Sequence, residues 1–238
     1  MRKTTELFMA YKSEFSKSSL KNNDLIEFKI KFNYANLIDI SNGSIFLKSS
    51  NINMSIKESL GALDLAIKSN NIIRVWSSHI DPDFYMFLLF ICSYINGKVD
   101  NIEVFYSDEY NKKCINTGAM TSDELDKLSL LSHTIDKVQI GNYAREWDSL
   151  NKDGSKLHII ENDKLIDVDY ECIYKQIIDL IRGNGSISIV EIILYFVRKY
   201  KIDSEYLIQN LIKEKRVRII KKDNIFSKNI VELYNNGD

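Results

Sequence analysis

The first half of the chain alternates apolar runs of strand length with amphipathic runs of helix length. Residues 72–76 are apolar almost throughout, which is typical of a central parallel strand covered on both faces. Shorter apolar or alternating runs at 6–11, 26–32 and 102–106 predict three further strands. Because helical segments separate these strands, we predict a Rossmann-like α/β domain over residues 1–110, with a largely parallel sheet of about four strands.

Helix starts are marked by side chains that satisfy the first backbone amides. A Ser or Thr followed three residues later by Glu forms a capping box, and this pattern begins at Ser55, Thr121 and Ser188. Asp81 followed by Pro82 predicts another start, with an acid at the cap and proline in the first turn. The helix after Pro82 is apolar on nearly every side, which predicts that it is buried.

Beyond residue 110 the pattern becomes mainly helical. We predict a helical connector over 111–168, which ends in a short hairpin turning at Asn162 and Asp163. Residues 169–238 read as three helices followed by a hairpin, the order of elements in a winged helix. The complete prediction is therefore an α/β domain, a connector and a winged-helix-like module.

Composition narrows the class of protein. The chain has 238 residues with a formal net charge of −1, so it has no bulk electrostatic attraction to nucleic acid or to a membrane. Its most apolar run, 84–95, is about 12 residues, whereas a membrane span needs roughly 20. Widely spaced cysteines without a CxxC pair, and an N-terminus without a signal peptide's apolar core, predict a cytoplasmic protein with no membrane partner.

The densest polar cluster lies at 77–83, directly after the predicted central strand. Open α/β sheets bind ligands at the carboxyl ends of their strands. We therefore predict that Ser77, His79 and Asp83 bind a ligand, together with Ser13 in the segment that follows the first strand. The competing interpretation is that Asp81 caps a helix and that His79 is a surface histidine. His133 and His158 are isolated in the sequence, so we predict no metal site, and no motif predicts a cofactor.

A basic run near the C-terminus is the feature that favours nucleic-acid binding. Its cationic residues are Lys213, Lys215, Arg216, Arg218, Lys221 and Lys222. The helix that would read bases begins with Asp203 and Glu205, and acids at that end repel phosphate. Binding to nucleic acid is therefore an alternative and not our leading prediction.

Several features, taken in order, resemble a known bacterial family. The first is the strand 73–76, which is followed by Asp83 and an apolar helix, and the second is a glycine followed by a helix at 117–125. The third is the aromatic helix at 143–150 that precedes 155–159. The fourth is the helix, basic turn and strand at 203–220. Together they resemble domain of unknown function 1835 followed by its companion, domain of unknown function 3658, over residues 6–233. The resemblance implies a fold and no established activity. Residues 12–19 lack the glycine that family members tend to have there, so the backbone cannot approach a phosphate as closely.

We expect a non-catalytic regulatory protein that binds a small molecule or a protein partner. Two alternatives stay open, and the sequence does not decide whether the protein is an enzyme. One is an enzyme acting on a small phosphorylated or nucleotide-like substrate in the crevice near 77–83. The other is a DNA-binding regulator that uses its C-terminal module.

Overall fold

The computed structural model describes residues 2–9, 12–28, 30, 32, 56–110, 117, 120–150, 152, 155–202 and 204–234. Their contacts divide the chain into two compact units, Met1–Gly154 and Ser155–Asp238. The sequence instead predicted boundaries at 110 and 168. The difference arises because residues 122–149 pack with the first sheet, while the hairpin at 156–169 belongs with the C-terminal helices. The capping box predicted at Ser55 lies outside the described residues.

The first unit is built on a five-stranded, mostly parallel sheet. Its strands are β1 (Thr4–Phe8), β2 (Asp24–Glu27), β3 (Ile72–Ser77), β4 (Asn101–Tyr106) and β5 (His133–Asp136). The order across the sheet is β2-β1-β3-β4-β5, in which β5 alone runs antiparallel to its neighbour. The predicted mixed α/β class with a largely parallel sheet is confirmed, whereas β5 was not predicted. Strand β2 also ends at Glu27, earlier than the alternating pattern indicated.

Helices cover both faces of this sheet. They are α1 (Lys12–Lys17), α2 (Ile56–Lys68), α3 (Pro82–Ile95), α4 (Ser107–Tyr110), α5 (Ser122–Leu128) and α6 (Lys137–Ser149), with a short 3-10 turn at Ser19–Asn22. On one face Phe15 of α1 stacks on Phe8 at 4.2 Å and meets Trp76 edge-on at 5.1 Å. Helix α3 is apolar on all sides because it packs against both β3 and α6, where Phe90 lies 5.5 Å from Trp147.

A buried ion network crosses the middle of the sheet. The Glu6 side chain is fully buried, and its carboxylate accepts hydrogen bonds from the Trp76 indole and from Asn23, each at 2.7 Å. Arg74 lies opposite Glu6 in the register and also donates to Glu103 at 2.6 Å. Burial raises the pKa of Glu6 above its ordinary value, although the donors from Trp76, Arg74 and Asn23 act in the opposite sense. The network therefore fixes the pairing of β1, β3 and β4 at one register.

The second unit contains three helices and two small antiparallel sheets. Strands β6 (Lys156–Glu161) and β7 (Lys164–Asp169) form the predicted hairpin, whose turn residues Asn162 and Asp163 have φ of 51° and 60°. Helices α7 (Tyr170–Asn184), α8 (Ile189–Tyr200) and α9 (Glu205–Lys213) follow. Strands β8 (Ser186–Ser188), β9 (Val217–Lys221) and β10 (Ile230–Leu233) pair in the order β8-β10-β9, with a 3-10 turn at Phe226–Lys228. Asn and Asp tolerate the left-handed conformation that the β6–β7 turn requires.

Within the described parts of the chain, no helix combines the length and the apolar character needed to cross a membrane.

The network around Glu6 generates a stability prediction. Glu6→Ala leaves the Trp76 indole and the Asn23 amide without the acceptor they share and leaves Arg74 with Glu103 alone, so we expect a loss of about 2–4 kcal/mol in the free energy of unfolding. Glu6→Gln keeps an acceptor for the indole and should cost clearly less. Urea unfolding of both variants measures the difference. Equal losses in the two variants would contradict the role assigned to the acceptor.

Candidate functional site

The predicted ligand-binding segment connects the end of β3 to the start of α3. Ser77 is fully buried, and its hydroxyl donates to the backbone carbonyl of Phe84 at 2.9 Å. The hydroxyl thus ties the strand end to the first turn of the helix. Asp81 is the helix cap, because its Oδ1 accepts from the amides of Asp83 at 3.0 Å and Phe84 at 3.3 Å.

His79 is held in place by an acid from the neighbouring strand end. Asp108, in α4 directly after β4, uses Oδ1 to accept from the His79 amide at 2.8 Å and from the Ser78 hydroxyl at 3.0 Å. Its Oδ2 lies 3.1 Å from Nδ1 of the His79 ring. The ring is 45% exposed and stacks on Tyr106 with 3.7 Å between centroids. One carboxylate therefore sets both the backbone and the ring orientation of a half-exposed histidine.

A second histidine and acid lie on the other side of Tyr106. The His133 ring, from β5, is 5.6 Å from the Tyr106 ring, and its Nε2 lies 2.5 Å from Oε2 of Glu109. We call His79, Tyr106, Asp108, Glu109 and His133 the edge cluster. Its members come from the carboxyl ends of β3 and β4 and from the first residue of the antiparallel β5, which enters at that same edge.

Phenol groups extend the edge cluster toward helices α3 and α6. The Tyr106 hydroxyl lies 3.5 Å from that of Tyr143, and Tyr85 donates to Glu146 at 3.1 Å. Burial raises the pKa of Tyr106 and of Tyr85 far above that of an exposed phenol, so both are neutral. Burial also raises the pKa of Glu146. Two neutral phenols, those of Tyr85 and Tyr106, therefore lie on the helix side of the edge cluster.

The outer part of the edge cluster is acidic. Burial by itself would raise the pKa of Asp108, but the hydrogen bonds from the His79 ring and amide, with the charge of that ring, outweigh it and hold the pKa of Asp108 below its ordinary value. Asp108 is therefore ionised at neutral pH. Among the described contacts of the edge cluster, the hydrogen bonds and ring contacts involve no lysine or arginine.

The remaining predicted ligand-binding residues are only partly described. Asp83 is half-buried in the first turn of α3. Ser13 lies in α1, and its side chain is outside the described set. A pocket shared by residues 12–19 and 77–83 stays a prediction. In the parts of the chain that the structure describes, no group of three His, Cys, Asp or Glu side chains is placed to hold a metal ion.

The structure divides the predicted basic run into paired and exposed cations. Arg216 donates to both carboxylate oxygens of Glu171, at 2.7 and 3.2 Å, and Arg218 donates to Glu232 at 2.7 Å. Four exposed lysines remain, namely Lys213, Lys215, Lys221 and Lys222. Glu205 lies in the first turn of α9, whereas Asp203 is outside the described residues. Two of the six cations are thus largely neutralised within the second unit.

Sequence reasoning missed most of the edge cluster. It identified His79 but not Tyr106, Asp108 or Glu109, although both acids come directly after the fourth predicted strand. Ligands bind at the carboxyl ends of the strands in open α/β sheets, and we used this principle only at 77–83. It applies equally at 107–110, because adjacent parallel strands end at the same edge. His133 gave no comparable signal, since its strand was not predicted.

No family model matches the chain, and no curated protein or solved structure matches it significantly.

The cap at Asp81 generates a prediction with an internal control. Asp81→Ala removes the acceptor for two amides of α3 and should lower the free energy of unfolding by about 1 kcal/mol. Asp81→Asn should cost much less, because Asn caps helices about as well as Asp. Thermal and urea unfolding of the two variants test this. If the Asn variant loses as much as the Ala variant, the charge of Asp81 matters more than its cap.

Proposed function

We propose that the protein is a non-catalytic regulatory protein that binds a small ligand at the edge cluster. The observation that carries the proposal is the half-exposed His79 ring, which is fixed by Asp108 on one edge and by Tyr106 on one face. A side chain that is already oriented loses little conformational entropy when a ligand binds.

The charges of the edge cluster indicate the kind of ligand. Asp108 and Glu109 lie within it, and Asp81 and Asp83 lie in the adjoining loop and helix turn. Carboxylates at this density disfavour a phosphate and favour a neutral or cationic ligand that forms hydrogen bonds. A ligand with an aromatic ring and amino groups fits both the imidazoles and the acids.

An enzyme is the second candidate, and one observation favours it. An acid that contacts Nδ1 of a half-exposed histidine is the arrangement that orients an imidazole for proton transfer. The substrate would occupy the same edge cluster. A small phosphorylated or nucleotide-like substrate would have to approach with its base or sugar first, because the acids repel its phosphate.

The finer fold assignments belong to the same proposal. We take the first unit as Rossmann-like, supported by its parallel strands with helices on both faces. We take α7, α8 and α9 with the sheet β8-β10-β9 as a winged-helix-like module, supported by the order of helices and antiparallel strands. Membership in the bacterial family of domain of unknown function 1835 with its companion 3658 is likewise proposed, as is a cytoplasmic location.

We propose that the winged-helix-like module docks to protein and not to DNA. Arg216 and Arg218 are engaged by Glu171 and Glu232, and releasing them would leave those carboxylates unpaired. Glu205 at the start of α9 would face phosphate in the usual docking geometry. The four lysines that remain are exposed, as the charged residues of an ordinary solvated surface are.

The ligand proposal is tested by a thermal-shift screen of nucleosides, nucleotides, sugar phosphates and small polyamines. We expect a compound that raises the Tm of the native protein but not that of His79→Ala. The control is Thr134→Ala, since Thr134 is exposed on β5 beside His133 but points to the opposite face of the sheet, so this variant should keep the full shift.

A nucleoside should also shift the Tm at least as much as its monophosphate. A hit that His79→Ala retains would overturn the site, and turnover of a hit would decide for the enzyme.

The docking proposal predicts the result of a gel-shift experiment. With mixed duplex DNA at about 150 mM salt, where specific binders reach nanomolar affinity, we expect no retardation at micromolar protein. Retardation that weakens steeply as salt rises, and that is lost when Lys221 and Lys222 are replaced by alanine, would instead establish the DNA-binding alternative.

A further inference from the structure

Helix α8 has exposed apolar side chains on the side opposite its buried one. Its buried side consists of Ile189, Ile192, Phe196 and Tyr200, which pack into the core of the second unit. The opposite side carries Glu191, Leu194, Tyr195 and Arg198, which follow the i, i+3, i+4, i+7 spacing of a single helical stripe. An amphipathic helix has charged or polar residues on its solvent side. Here Leu194 is 43% exposed and Tyr195 is 39% exposed.

The stripe belongs to a larger apolar surface. It lines an open groove of about 640 Å³, to which α7 contributes Leu180 and β8 contributes Ile187. Val190 adjoins Leu194 on the helix and is also exposed. Exposed apolar residues that occur singly are ordinary, whereas contiguous ones with a polar rim mark interaction surfaces. We call the stripe with its groove the α8 face.

The α8 face carries opposite charges at equal distances from the centre of its stripe, and a further cation, Lys199, lines the groove beside them. Glu191 and Arg198 lie equally far from the midpoint between Leu194 and Tyr195, about 5 Å along the axis at 1.5 Å per residue. Glu191 is held by Ser188, whose hydroxyl and amide donate to its carboxylate and lower the pKa of Glu191, so the acid is ionised. The Arg198 guanidinium has no ion-pair partner among the residues that the structure describes.

We propose that the α8 face binds the α8 face of a second copy of this chain, with the two helices antiparallel. A twofold axis through the midpoint of the stripe brings Glu191 of each copy level with Arg198 of the partner subunit, so that the dimer contains two such ion pairs. Leu194 and Tyr195 then pack at the centre, with each helix lying along the groove of the other copy. A parallel arrangement would instead place like charges side by side, so the charge pattern selects the antiparallel pair.

The expected association is weak. One helix and one groove per copy bury less surface than the 1,200–2,000 Å² or so of a standard interface, so the dimer should form in the micromolar range or above. Because its charges lie on the rim, raising the salt concentration should weaken it.

Sedimentation velocity of the full chain tests the proposal with two charge-reversal variants. In Arg198→Glu the rim is acidic at both ends, and in Glu191→Arg it is basic at both ends. Either variant alone places like charges opposite each other, so each should be monomeric at concentrations where the native chain dimerises. An equimolar mixture restores opposite charges at both contacts, so it should form a 1:1 heterodimer at least as readily as the native chain forms its dimer.

The two variants also control for each other. Glu191→Arg removes the capping box of α8 and should lower stability slightly, whereas Arg198→Glu leaves the cap intact. A variant that had merely lost its fold would not recover in the mixture. A native chain that stays monomeric throughout the concentration range would overturn the proposal. So would variants that dimerise as the native chain does, or a mixture that stays monomeric.

Discussion

The carboxylate of Asp108 links the two strand ends on which the candidate site depends. It receives hydrogen bonds from the Ser78 hydroxyl and the His79 amide, and it contacts the His79 ring. Without it, the loop after β3 would have to satisfy these groups with water, and the imidazole would lose the contact at Nδ1 that acts together with the Tyr106 stack. The sheet makes this contact possible because β3 and β4 are parallel neighbours in register. The two strands therefore end at the same edge of the sheet. The ion pair between Arg74 and Glu103 fixes that register further down the strands.

The parts of the fold that sequence analysis predicted are those with a local physical cause. Strand β3 is mostly buried and therefore apolar apart from Arg74 and its last residue, Ser77. The capping boxes at Thr121 and Ser188 satisfy their own helix amides, and Asn162 with Asp163 accepts a left-handed turn. Strand β5 has no such signature. Only Ile135 of its four residues is buried, so no alternating pattern exists, and its pairing comes from β4. The periodicity of apolar residues does not predict an edge strand whose structure depends on pairing with its neighbour.

The candidate site was predictable only where its residues lie close together in the sequence. His79 and Asp81 stand together in a polar run, but the direction of the Ser77 hydroxyl depends on the position of Phe84 in the folded helix. The partners of His79 come from a strand about thirty residues later in the chain, and their relevance depends on β4 lying next to β3 and not elsewhere in the sheet. The count of basic residues near the C-terminus was misleading for the same reason, because it did not include acids from other elements. Arg216 and Arg218 look available in the sequence, and their acids Glu171 and Glu232 lie on other elements.

The two proposed surfaces belong to different units, and any coupling between ligand binding and dimerisation must be reciprocal. If the ligand at the edge cluster changed the tendency of α8 faces to pair, pairing would change the ligand's affinity by the same factor. A micromolar dimer is well suited to such control, because a coupling of about 1–3 kcal/mol would move a weak association across the concentrations found in cells. A tight dimer would stay assembled whatever the ligand did. The weakness expected from a single helix pair is therefore the property that the proposed regulatory function would require. Sedimentation with and without a ligand identified by its thermal shift would measure the coupling directly, and equal dimer affinity in both conditions would show that the two surfaces act independently.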